Sequence, residues 1–199
     1  MNEFLKIEYE QCLSLIKYYD ERHQSLVKFC AGLSSAVPSL LLTIFQLGDQ
    51  AATHFWEFTA LISGVTTLGL LSVYTVLVQT RLYFIYPVRQ VNAIRRVGLD
   101  SQTEFTNNQM YLNTTFSAFK WSSSHTLLNG FVALQIGAFS SLSTYSLYAD
   151  STKPDCAVIT AAGIGLFLSL LVFGISAWYL HAKSKQSPDK SIHGRGKEE

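Results

Sequence analysis

The side chains that invite a chemical reading are polar residues set inside long apolar runs. Gln135 stands with Ser140, Ser141, Ser143, Thr144 and Ser146 in one run, and Ser63, Thr66 and Thr67 stand in another. A buried amide without a partner is costly, so these groups have one of two uses. Either they line an aqueous path between helices of an oligomer, or they bond helix to helix, at about 1 kcal/mol or less each. Both readings stay open. Carboxylates and ammonium groups are missing from the middle of these runs. Proton- and cation-coupled transport relies on such groups, so a transporter comes third, and then without a charge-coupled site.

Other chemistry finds no constellation. His23, His54, His125, His181 and His193 are scattered, with no pair at the i, i+4 spacing of a metalloprotease helix. No Ser–His–Asp set, phosphate-cradling glycine loop or metal cluster emerges. The three cysteines, Cys12, Cys30 and Cys156, have neither a disulfide framework nor a C-x-x-C spacing, and are expected to fill space. The expectation is a protein without catalytic, cofactor-binding or metal-binding residues, and not an enzyme.

The elements that carry these residues follow from composition. Hydrophobic residues make up 48% of the chain and charged ones 15%, where a soluble domain has about a quarter charged. The net charge of +1 gives no case for nucleic acid. Four runs are long enough for the roughly 20 residues that cross a bilayer as a helix: Val27 to Leu47, Phe58 to Thr80, about Leu127 to Ala149, and Ala157 to Leu180. Backbone groups in hydrocarbon must bond internally, so these are helices. The fold class is an all-α, four-transmembrane-helix bundle with a helical cytoplasmic layer.

Charge sets the direction. Fourteen lysines and arginines lie before the first run, between the second and third, and after the fourth, whereas the other side has only Lys153. Both chain ends are therefore expected in the cytoplasm, with the chain in the inner (plasma) membrane. Trp56, Trp121 and Trp178 with Tyr179 sit at the ends of runs, where interfacial aromatics belong. Residues 1–26 carry eight charged residues before any long apolar run, which is no signal peptide. The Asn113-Thr114-Thr115 sequon is placed inside by this topology and discounted.

The outline reads as a cytoplasmic amphipathic stalk helix (1–26), a first transmembrane hairpin (27–80), a cytoplasmic basic helix and loop (81–126), a second hairpin (127–180) and a disordered tail (181–199). On the stalk, Leu5, Tyr9, Cys12, Ile16, Tyr19, His23, Leu26 and Cys30 follow an alternating 4–3 spacing, a heptad-like seam for helices of the same chain or of other copies. Past the second span, Pro87 should kink or restart the helix. Arg89, Arg95 and Arg96 then lie off an apolar face of Val88, Val91 and Ile94, suited to anionic lipid, a partner or the stalk itself. Asp100–Asn108 reads as a turn, and Tyr111 to Phe119 as a short helix. Pro38 is a candidate kink in the first span. Ala133, Gly137 and Ser141 recur every four positions in the third span, and Ala161, Gly165 and Ser169 do so in the fourth. Such faces allow close backbone approach, within one chain or between chains.

An amphipathic helix with Tyr18-Tyr19-Asp20-Glu21-Arg22 leads into the first span, and a cytoplasmic helix follows the second. In this layout, over roughly residues 5–97, the chain resembles the SLATT-type small membrane effectors of bacterial anti-phage and conflict systems. The resemblance implies an oligomeric, pore-forming or membrane-perturbing effector. The residues alone leave room for a membrane anchor that recruits a cytosolic protein. The expected partners are membrane lipids, further copies of the chain and a cytosolic protein.

Overall fold

A computed structural model of the chain describes residues 3–46, 54–99, 117–149 and 154–184. They form four helices: α1 (Glu3–Gln46), α2 (Phe55–Leu99), α3 (Ser124–Tyr148) and α4 (Pro154–Ser184), with no strand among the described residues. All four are long and apolar enough to cross a membrane. At 44 and 45 residues, α1 and α2 are about 66 Å long, roughly twice a hydrocarbon core.

Each helix packs mainly on its neighbour in sequence, α1 on α2, α2 on α3 and α3 on α4. The three pairs are antiparallel; in α3 and α4, Ser141 meets Ala161 while Gly130 lies near Phe173. Phe45 meets Phe55 at one end of α1 and α2, and Tyr9 meets Arg95 at the other. Trp56 meets Tyr145 where α2 begins and α3 finishes. Helices α1 and α3 run parallel, as do α2 and α4, with small contacts. Leu70, Leu77 and Ile85 of α2 and Val132 and Ile136 of α3 are fully buried in one core shared by the helices.

The four-span expectation agrees with an inside-out distribution of residue types. On α4 the buried positions are small or polar apart from Leu180 (Ala157, Ala161, Gly165, Ser169 and Ser176), while Ile159, Leu166, Phe167, Leu170 and Trp178 are exposed. In water this surface would be a large apolar patch. In hydrocarbon, where lipid tails are as apolar as leucine, small and polar residues belong at helix contacts.

Several expectations are corrected. Helix α2 continues through Pro87 without the expected restart; the proline removes one backbone donor, and its place on a buried side of the helix lets packing offset that loss. Helix α1 includes Pro38, which is compatible with the expected kink. Ser117 to Lys120 are not helical, so the expected helix does not reach Phe119. The rest of that segment, the 100–108 turn, the sequon and the tail beyond 184 lie outside the described residues.

Candidate functional site

Near the start of α3, three helices and the preceding segment converge on a polar cluster. The end of the bundle that carries it, where α1 and α2 project together, is called here the stalk end. The local reason is sequence periodicity. His23 falls on the 4–3 seam of α1, so the spacing that buries Cys12 and Cys30 buries His23 too, to 1% exposure. Asp20 lies one turn before it. From α3, His125 and Asn129 lie one turn apart and face α1.

The bonds are specific. His23 Nε2–H donates to Asn129 Oδ1 at 3.0 Å, and His125 Nε2 lies 3.1 Å from Asp20 Oδ1. The two imidazoles meet edge to face, 4.4 Å between centroids, and Phe84 of α2 lies against His125 at 5.3 Å. Arg81, at 3% exposure, has its guanidinium 5.1 Å from the Phe84 ring centre. Its Nε donates to the Ala118 carbonyl at 3.0 Å, and Nη2 reaches Ser123 Oγ at 3.5 Å. Gln24 Nε2 donates to the other oxygen of Asp20 at 3.0 Å.

Electrostatics follow from burial. Desolvation, reinforced by Arg81 and His23 and opposed by Asp20, pushes His125 down to about 4. Desolvation also lowers His23, with the Asn129 bond and Asp20 opposing and Arg81 adding. Burial brings Arg81 down to about 10, against the pull of Asp20. At neutral pH both imidazoles are thus neutral beside the Arg81 cation. Both Nδ1 atoms are buried without a hydrogen bond. Asp20, His23, Gln24, Val27, Lys28, Ser124, His125 and Leu128 line a cleft of about 290 Å³ between α1 and α3.

This cluster corrects the reading of the histidines as scattered. His23 and His125 are partners, brought together because α1 and α3 run side by side. The signal in the sequence was His23 itself, a polar residue on an otherwise apolar seam.

The residues singled out from the sequence divide among several places. Gln135 is buried in its own bundle, with Oε1 lacking a partner. Thr66 and Thr67 are buried and donate to carbonyls one turn back in α2. Ser143 bonds the Ala60 carbonyl of α2, whereas Ser141 bonds the Ala161 carbonyl of α4 at 2.9 Å. Ser140 and Thr144 are half-buried. Of these groups, Ser141 and Ser143 bond across to other helices, and Thr66 and Thr67 bond within their own.

The small-residue faces meet each other. A Cβ on Gly137 would collide with the Gly165 carbonyl and Ser169 Oγ, and one on Gly165 with the Gly137 carbonyl and Ser141 Oγ. Ala133 and Ala161 are buried beside this crossing.

In the stalk, Cys12 is buried and Leu5, Tyr9, Ile16 and Tyr19 are half-buried. Tyr19 stacks on Tyr83 at 6.1 Å. Arg95 bonds Tyr9 Oη through Nε at 3.3 Å and Nη2 at 3.0 Å, and Arg89 Nη2 donates to the Ser184 carbonyl at the end of α4, 2.8 Å away. Arg96 is exposed. Two of the three arginines proposed for lipid or a partner are thus engaged within the chain.

Comparison with known protein families, characterised proteins and solved structures finds no match to this chain.

Proposed function

We propose that the protein is a self-associating effector of the inner (plasma) membrane, controlled from the cytoplasmic side through its stalk. The basic asymmetry supports placing both chain ends in the cytoplasm. The observation that carries self-association is a second apolar strip on the stalk. Ile7, Leu15 and Tyr18 are 50%, 45% and 51% exposed. They lie roughly a third of a turn around α1 from the seam that packs on α2. Apolar side chains aligned on a helix that reaches beyond the bilayer suit a partner helix. On this reading any solute path forms between copies.

The test is the mass of the purified full-length chain in nanodiscs, together with dye release from vesicles. Multimers and leak are expected for the wild type, and monomers with sealed vesicles for the double variant Ile7→Glu, Leu15→Glu. A monomeric, non-leaking wild type sinks the effector reading. That outcome favours a membrane anchor instead, whose exposed strip would receive a cytosolic protein.

A further inference from the structure

We propose that the cleft between α1 and α3 binds the headgroup of a zwitterionic aminophospholipid, with Lys28 on the phosphate and Asp20 on the primary ammonium. The inference rests on the membrane placement proposed above and not on self-association. The cleft is bounded by five residues of one face of α1 and three from the first turns of α3, and it stays open because these helices touch little elsewhere.

The order of chemistry along the cleft carries the argument. Val27 and Leu128 give it an apolar wall on the side of the spans, and exposed Phe131 continues the apolar surface of α3 further in. Lys28 stands beside Val27 at the start of the first span. It is exposed and pairs with no carboxylate among the described residues. Helical side chains lean toward the N-terminus, so a snorkelling Lys28 carries its ammonium toward Gln24 and the stalk end. Asp20 stands two turns further out, its side chain 42% exposed. From the bilayer outward the sequence is apolar, cationic, anionic. A phospholipid with an amine headgroup reads apolar, anionic, cationic in the same direction.

The carboxylate makes the site selective. It disfavours an anionic glycerol headgroup, and a quaternary choline has no N–H to donate to it, whereas an ethanolamine ammonium donates as many as three hydrogen bonds. Neutral imidazoles preserve this preference, because a charged His125 would neutralise Asp20. Recognition of particular lipids by charged pockets beside membrane helices is well precedented physically.

The experiment is native mass spectrometry of the full-length chain released from nanodiscs of phosphatidylcholine containing equal parts of ethanolamine and glycerol phospholipids with matched acyl chains. Retention of the ethanolamine lipid should exceed that of the other two by about fivefold or more, the scale of a single well-placed charge contact. Lys28→Gln should lower all phosphate-dependent retention, and Asp20→Asn should bring ethanolamine down to the choline level. Because Asp20 also holds His125, Leu128→Trp supplies a second variant that fills the cleft without altering charge. It should abolish the preference while helical content is unchanged. Lys17→Gln, on the stalk beside Glu21, should leave retention unchanged. Equal retention of the three lipids, or a preference that survives both Lys28→Gln and Leu128→Trp, overturns the proposal. So does displacement by soluble glycerophosphoethanolamine, which would make the ligand a free headgroup. Failure of the chain to enter nanodiscs at all would instead defeat the membrane placement.

Discussion

The contact between α3 and α4 and the contact between α1 and α3 hold the bundle by opposite means. The first is small, neutral and close: Gly137 faces Gly165, and Ser141 bonds across the gap. Its stability comes from backbone proximity, so it tolerates no added volume. The second is sparse, polar and titratable, made by His23–Asn129 and Asp20–His125 beside a cleft. Its stability comes from hydrogen bonds among desolvated groups, so it tolerates volume but not a change of charge. The lesson is that the second hairpin is built as one rigid piece, while α1 is seated on the rest by a seam and a polar clasp.

The sharpest way to break the contrast is to enlarge a glycine. Gly137→Leu should give the largest loss, since the new side chain meets backbone that cannot rotate away; about 3 kcal/mol or more is expected, the top of the overpacking range. Thermal unfolding in detergent would register it. A native-like melting temperature would show that the crossing is not tight.

Arg81→Met comes next. It leaves the Ala118 carbonyl without its donor and should cost about 2 kcal/mol, visible in the same melts and as faster proteolysis near residues 117–123. An unchanged melt would detach Arg81 from the clasp.

Acidification attacks the clasp without mutation. His125 lies near 6.5 unfolded and at about 4 in the fold, so the unfolded chain binds more protons between those values. Stability is therefore full above about 6.5 and declines as pH falls toward about 4. Asp20 and His23 of α1 and Arg81 of α2 face the ring and help to set its shift. The drop in melting temperature from pH 7 to 4.5 should shrink in His125→Gln. An equal drop in both proteins would assign it to other groups.

Ser141→Ala should do least, at about 1 kcal/mol or below, because interhelical bonds in hydrocarbon are worth little when the unfolded helix finds other partners. A loss comparable to that of Gly137→Leu would mean the hydroxyl, and not the close approach, holds α3 to α4.

By itself the sequence determined the class of structure and the buried faces. Four apolar runs of bilayer length admit only helices, since hydrocarbon offers a backbone no other partner. The 4–3 spacing from Leu5 to Cys30 coincides with the covered side of α1 because helical periodicity is local. Tertiary structure decided who meets whom. A face of alanine, glycine and serine says that something comes close, but not whether it belongs to the same chain; here Gly137 found Gly165. Arg95 found Tyr9 and Arg89 found the end of α4, outcomes that charge and spacing alone left open. The clasp was the least legible part. His23 and Asn129 are 106 positions apart, and no local pattern can pair side chains whose meeting depends on two helices running in parallel. Only the packing of α1 beside α3 turned isolated histidines into a site.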